Sequence, residues 1–322
     1  MKQLELLIQN YLEYCMSQKR LDKKSIKAYR IDLTQFRYMM NEMPLDQITQ
    51  LELESYIATL NQKYKPKTVK RKIASLKTFF HYLEYKDIIA INPFNKLQIK
   101  LREPVILPKT IPLHTIENFM SFIYRKRALS KTPYQERNAL RDIAVIEMLF
   151  ATGIRISELC SLTPANVDLR DGVILIYGKG CKERRVQLGN VDVIKILKEY
   201  RDCYQNEILQ SNHFFVNQSG KPFSDQAVRR MINKYTSLAA INLHITPHMF
   251  RHTFATSLLE ADVDIRYIQN ILGHSSINIT EIYTHVAMSK QKDILTTKHP
   301  RQKFHIGSQT FLQEPIMVDE VR

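Results

Sequence analysis

The chain has 322 residues, more than one hydrophobic core usually organises, so two domains are expected. A hydrophobic content of 44% excludes wholesale disorder, and 8 Gly with 12 Pro exclude collagen-like or low-complexity chains. Lys and Arg total 47 against 32 Asp and Glu, a formal net charge of +15 that points to a polyanionic partner, since each base set against a phosphate releases condensed counterions. Cys15, Cys160, Cys181 and Cys203 show neither a C-x-x-C pair nor a disulfide framework, as expected of reduced thiols. The N-terminus forms no secretory apolar region, and no run approaches the ~18 apolar residues of a membrane helix. The expectation is a soluble, cytoplasmic protein.

Residues 1–100 read as a helical bundle. Leu4, Leu7, Ile8, Tyr11 and Leu12 recur at helical spacing, and Tyr29, Leu33, Phe36 and Arg37 mark a second amphipathic segment, for which Ser25 is a candidate cap. A third segment spans Gln50 to Leu60. Pro66-Lys67-Thr68 opens a fourth helix, Val69 to Tyr85, with the apolar stripe Ile73, Leu76, Phe79, Phe80 and Leu83; Asn92-Pro93 closes the bundle. Lys63, Lys65, Lys67, Lys70, Arg71, Lys72 and Lys77 accompany that stripe with no acid between Asn61 and Leu83. A one-sign run on an amphipathic helix suggests a face pressed to phosphates rather than a plain solvated one.

Residues 101–112 carry Pro104, Pro108 and Pro112 without helical periodicity, a semi-extended linker. The second domain, 113–298, opens helical through Ile143 to Phe150 and reaches Thr152-Gly153-Ile154-Arg155-Ile156-Ser157-Glu158-Leu159. Asn166 and Asp168 lie near a turn. Val173–Tyr177 and Arg184–Leu188, joined by Gly178-Lys179-Gly180, read as a β-hairpin, and the segment from Val191 to Lys292 as mostly helical. The tail, 299–322, has weak periodicity, with Phe304 to Leu312 a short strand or unstructured. The fold class is mainly α, with a small hairpin or sheet in the second domain.

Thr246 is a good N-cap and Pro247 suits the first helical position, so a helix begins there. His248 and Arg251, three apart, share a face at an end that favours anions. A phosphate is the natural guest, although a bare H-x-x-R also suits local surface contacts. His248 and His252 have the i,i+4 spacing of a zinc pair, but Met249 stands where such a site needs Glu, and no Cys is near. Ile265, Ile268, Ile271 and Leu272 mark another helix ended by Gly273, which places His274 just beyond the cap. Tyr283 is one of 16 tyrosines, and a tyrosine taken singly is usually core. In this setting it completes a set: arginines to grip non-bridging oxygens, histidines to move protons, and a phenol of pKa about 10 that attacks only with assistance.

Ala151 to Leu159, Gly178-Lys179-Gly180-Cys181-Lys182-Glu183-Arg184, His248-Met249-Phe250-Arg251-His252, Leu272-Gly273-His274 and Ile282-Tyr283-Thr284-His285 resemble, in order and spacing, the tyrosine recombinase (phage integrase-like) family, closest to its Xer-type branch. The likeness covers nearly the whole chain. Departures are a tail longer than the Xer-type ending and an apparent small insertion at Ala128 to Arg137. The resemblance implies a core-binding first domain and a catalytic second domain. Arg155 and Arg251 would bind the scissile phosphate, Lys179 protonate the departing 5′ oxygen, His248 assist proton transfer and His274 hydrogen-bond the phosphate. Tyr283 would become the 3′-phosphotyrosyl link. Glu158, one turn after Arg155, orients that arginine or caps locally. The resemblance implies further a Holliday junction and four protomers on two sites in double-stranded DNA, each C-terminal segment, around Ile294 to Leu312, docking on a neighbour. No cofactor and no metal are called for, because cationic side chains supply the charge compensation. Integration or excision of a mobile element and Xer-type resolution are both open, as are a related recombinase or directionality factor as partner. The competing classes are a non-cleaving DNA-binding regulator and a type IB topoisomerase.

Overall fold

The computed structural model describes residues 2–40, 43–97, 99, 109–178 and 183–273. The chain divides into two compact units, Met1–Ile106 and Leu107–Arg322.

The first unit is built from α1 (Lys2–Ser17), α2 (Lys23–Met39), α3 (Gln50–Lys63) and α4 (Pro66–Tyr85). Their apolar stripes close one core in which Tyr11, Phe36, Tyr56, Phe79 and Phe80 are buried and packed ring against ring. The cap of α2 is Asp22, not Ser25. Its Oδ1 accepts the Lys24 and Ser25 amides at 2.9 Å each, and Ser25 Oγ donates to its Oδ2 at 2.8 Å. A carboxylate at the head of the helix takes two orphan amides, and the serine hydroxyl becomes its support. Thr49 and Glu52 form a reciprocal capping box on α3. Pro66 takes the first position of α4, where its missing N–H costs nothing.

Asp32 on α2 is fully buried and holds α4 through three residues. Arg71 donates to its Oδ2, Lys72 Nζ to its Oδ1 at 3.1 Å, and Ser75 Oγ to its Oδ2 at 2.8 Å. Lys72 also donates to Gln35 Oε1 and lies 5.0 Å from the centre of the Tyr64 ring. This corrects the expectation that all seven bases of the run face phosphate. Lys72 is 2% exposed, and its ammonium neutralises an internal carboxylate. Lys63, Lys65, Lys67, Lys70, Arg71 and Lys77 remain exposed.

In the second unit, α6 (Pro133–Thr152) forms the centre, with every residue from Ala139 to Leu149 buried. Against it pack α5 (Leu113–Ala128), α8 (Val191–Cys203) and α11 (Pro247–Glu260), with α9 (Gln205–Ser211) and α10 (Asp225–Leu238) completing the core. The polar groups of α6 are paired where they enter the interior. Tyr235 donates to Asp142 at 2.9 Å, and Tyr124 to Glu147 at 2.6 Å.

The short α7 (Ile156–Cys160) leads into a three-stranded antiparallel sheet, in the order β1 (Val167–Asp168), β2 (Val173–Tyr177), β3 (Glu183–Gln187). The hairpin lies where the β-branched run placed it, with its second strand starting one residue earlier. The two-residue β1 is too short to show alternation and reads as a turn. Finally, α12 (Ile265–Leu272) packs on α11 through Ile268 and Leu272. No helix among the described residues is long and apolar enough to cross a membrane.

Candidate active site

Two left-handed glycines set the frame. Gly153 caps α6 at φ 59°, and a Cβ there would lie 2.6 Å from Phe254 Cδ1 and 2.9 Å from a Leu272 methyl. The chain therefore turns sharply at this point with α11 and α12 closed over it. Gly273 caps α12 at φ 65° in the same manner, as its position after the apolar stripe implied.

Two residues beyond Gly153, Arg155 is the N-cap residue of α7, and Glu158 reaches back to it. The Arg155 N–H donates to Glu158 Oε2 at 2.9 Å, and Arg155 Nη1 to Oε1 at 2.8 Å. Both readings of Glu158, orienting the arginine and capping the turn, hold at once. Arg184 on β3 closes the other side of this carboxylate, with Nη1 on Oε1 at 3.0 Å and Nη2 on Oε2 at 2.7 Å. Burial pushes the Glu158 carboxyl up, but the hydrogen bonds from Arg184 and Arg155 outweigh it and hold the group below its ordinary range.

From the opposite direction, Thr246 caps α11, accepting from the Met249 N–H, and Pro247 fills the first helical position. One turn in, Arg251 is 6% exposed and donates from Nη1 to Gly153 O and from Nη2 to Leu272 O, both at 2.7 Å. Arg155 Nη2 points at Gly273 O, 3.4 Å away, and Arg184 Nε donates to Ile271 O at 2.8 Å. Three guanidinium groups from α7, β3 and α11 thus converge on the last three carbonyls of α12 and its cap. A helix C-terminus leaves orphan carbonyls and a partial negative charge, which cations satisfy. Of the three, Arg155 is the most open, its side chain 33% exposed against 8% for Arg184.

His248 and Arg251 share the start of α11, but the helix is turned so that the imidazole is exposed and the guanidinium buried. His252, half-buried one turn further, is held below the ordinary histidine range by burial first and then by the charges of His248 and Arg251.

The structure brings together Arg155 and Arg251 at the end of α12, while His248 stands exposed one turn before Arg251 on α11. Lys179, His274 and Tyr283 lie outside the described residues, as do the tail 299–322 and most of the expected linker 101–112. Lys179 falls between the ends of β2 and β3, and His274 directly follows Gly273. Arg184 has the largest share in the cluster among residues to which sequence reasoning gave no role. The signal was present: Arg184 alternates with Val186 on the inner side of β3, and a base at an inward strand position needs a buried partner.

Comparison with known proteins gives the family of the chain. The model of the phage integrase family matches residues 119–290, and that of the phage integrase N-terminal SAM-like domain matches residues 8–86. A tyrosine recombinase of Agathobacter rectalis is 67% identical, covering 95% of this chain and all of its own length. The tyrosine recombinase XerC of Oceanobacillus iheyensis is 32% identical over 94% of this chain and 98% of its own. Among solved structures, the XerA recombinase is 30% identical with a TM-score of 0.51, covering 92% of this chain and 99% of its own. The XerH site-specific recombinase in its post-cleavage complex with difH substrate shares the fold, with a TM-score of 0.71 at 22% identity, covering 88% and 83% of the two chains. The chain belongs to the phage integrase family and is a tyrosine site-specific recombinase, as its five ordered motifs implied.

Proposed function

We propose that the chain cleaves and rejoins double-stranded DNA by transesterification at a site made of Arg155, Lys179, His248, Arg251, His274 and Tyr283. The Tyr283 oxygen attacks the scissile phosphorus, the bond to the 5′ oxygen breaks, and a 3′-phosphotyrosyl link forms. The departing 5′ oxygen takes a proton from Lys179, while His248 assists removal of the phenolic proton. Arg155 and Arg251 compensate the charge that grows on the non-bridging oxygens, with His274 as a further donor. A 5′-hydroxyl from a second strand then reverses the step. Bond energy is conserved in the phosphotyrosine, so no nucleotide triphosphate is consumed.

The single observation that carries this reading is the convergence of Arg155 and Arg251 on adjacent carbonyls at the end of α12, from positions nearly one hundred residues apart. That juxtaposition puts two guanidinium forks next to the chain position where His274 follows. Residues 1–100 would form the core-binding unit, pressing Lys63, Lys65, Lys67, Lys70, Arg71 and Lys77 to the backbone of the duplex. The exposed setting of those bases supports this assignment. Residues 113–298 would hold the chemistry, 101–112 would link the two, and 299–322 would dock on a neighbour in a tetramer spanning two DNA sites and a Holliday junction. A lambda integrase of the same fold has been solved as a tetramer bound to a Holliday junction, which is consistent with that assembly.

The test is a nicked DNA substrate whose cleavage releases a short strand and traps the covalent complex. The wild-type chain forms a protein–DNA adduct through Tyr283, whereas Tyr283→Phe binds the same DNA and forms none. An adduct at another residue refutes the assignment. Relaxation of supercoils without exchange of strands would place the chain with the topoisomerases instead, and binding without any adduct would make it a regulator.

A further inference from the structure

Arg184 enters no step of that reaction, yet it is deeply engaged in the cluster. It stands on β3 between the exposed Glu183 and Arg185, turned inward with Val186, and its side chain is 8% exposed. Nε donates to Ile271 O at 2.8 Å, Nη1 to Glu158 Oε1 at 3.0 Å, and Nη2 to Glu158 Oε2 at 2.7 Å. One planar group thereby joins α7, β3 and α12, elements far apart in the chain. Only a guanidinium can do this: its outer edge matches a carboxylate in two parallel bonds, and its Nε–H is left at a fixed angle for a third acceptor.

The two oxygens that Arg184 grips are the same two that hold Arg155, one through the backbone N–H and one through Nη1. The stem of Arg184 also walls the turn at Gly273, where a Cβ would fall 2.9 Å from its Cδ and 3.0 Å from its Nη1. Arg184 therefore fixes both supports of the phosphate grip, the carboxylate that aims Arg155 and the helix end on which Arg155 and Arg251 meet.

We propose that Arg184 is a positioning residue for strand cleavage: through Glu158 it sets the direction of the Arg155 guanidinium, and through Ile271 O it sets the end of α12, without itself touching a substrate atom. The inference rests on the assignment of Arg155 to the scissile phosphate.

The experiment measures single-turnover adduct formation on the nicked substrate, DNA affinity and thermal melting for Arg184→Ala and Arg184→Lys. With Glu158 no longer braced from the side of β3, and the Arg155 guanidinium therefore less well aimed, Arg184→Ala cleaves on the order of 100-fold more slowly, the usual cost of misplacing a reacting group by about an ångström. Its DNA affinity stays within about threefold, because the lost interaction acts in the transition state. Arg184→Lys remains at least about tenfold slow, since an ammonium cannot bridge three acceptors in fixed directions.

The pH profile separates positioning from general loosening. In Arg184→Ala the burial of Glu158 is opposed by Arg155 alone, so its carboxyl takes up a proton more readily, and the cleavage rate gains a new acid limb, rising with pH. The limb vanishes in Arg184→Ala/Glu158→Gln. Cleavage by Arg184→Ala within about threefold of wild type, or a loss that is uniform with pH and matched by an equal loss of DNA affinity, overturns the proposal. If Arg184→Ala melts below the assay temperature, Arg184→Lys decides: slow cleavage with normal affinity supports the role, and a wild-type rate refutes it. Failure of the underlying assignment shows separately, as a wild-type chain that yields no adduct or a Tyr283→Phe chain that does.

Discussion

Arg251 and Arg155 donate to neighbouring carbonyl oxygens, Leu272 O at 2.7 Å and Gly273 O at 3.4 Å, although one stands inside α11 and the other heads α7. The buried member serves also as an anchor, and the more open member is the freer to move. Arg251 spans Gly153 O and Leu272 O and so ties the C-termini of α6 and α12 together, whereas the longer bond of Arg155 leaves its guanidinium able to turn toward a phosphate.

Removing the anchor therefore damages fold and chemistry together. Arg251→Ala leaves two carbonyls without this donor in a buried setting, at about 1–3 kcal/mol each. Melting falls by several degrees and adduct formation is lost. Arg155→Ala, taken from a more open position, loses adduct formation with a much smaller drop in melting temperature. Equal melting losses in the two variants would contradict this division.

Two buried glutamates respond to pH with opposite signs. Glu158 is held below its ordinary value of 4.5, burial being outweighed by Arg184 and Arg155, so its stabilisation is complete above that value and fades as pH falls through the lower folded value. Glu147 is pushed above 4.5 by burial, against the Tyr124 hydrogen bond, so it disfavours the folded state once ionised at neutral pH. At pH 7 Glu158→Gln is destabilising and Glu147→Gln is neutral or stabilising. Denaturant titrations at pH 7 and pH 4 test both signs, and the Glu158→Gln deficit should shrink at the lower pH.

The basic run divides by exposure. Alanine at Lys63, Lys65, Lys67 and Lys70 should weaken DNA binding evenly across sequences and reduce the salt slope by about 0.9 per lost phosphate contact. Lys72→Ala removes one of three groups that hold Asp32 inside the bundle, leaving Arg71 and Ser75, and costs about 1–3 kcal/mol of stability, with little change in the slope of the folded protein. A slope unchanged by the four surface replacements would remove this helix from the DNA interface.

Chelation should leave activity intact. Adduct formation in EDTA is expected to equal that in its absence, because the proposed reaction draws its charge compensation from two arginines and a lysine. Loss of cleavage on metal removal would count directly against the mechanism.

Much of this architecture was legible in the sequence because it is carried by short-range rules. The apolar stripe of α4, the Thr246-Pro247 start of α11, the Gly273 stop of α12 and the β-branched run of β2 each encode their element locally. Local rules misled where a distant partner decided the outcome. Lys72 looks like its neighbours in a basic run, but Asp32, forty positions earlier, draws it inside. Ser25 looks like a cap, but Asp22 offers a carboxylate at the better position. His248 and Arg251 share a helix face by spacing, yet which of them is buried depends on how α11 lies against α6. The role of Arg184 escaped notice because the motif around it drew attention to Lys179 and because its acceptors, Glu158 and Ile271, are separated from it by long stretches of chain.

The burial of α6 along its whole inner length reaches further than packing. Arg155 follows its last turn after only the fixed corner at Gly153 and the buried Ile154, so the arginine cluster has little slack of its own and inherits the rigidity of the interior. Heat should then abolish cleavage competence and the near-ultraviolet signal of the tightly packed aromatic side chains in a single cooperative event, with no window in which this unit stays folded while its arginines have come apart.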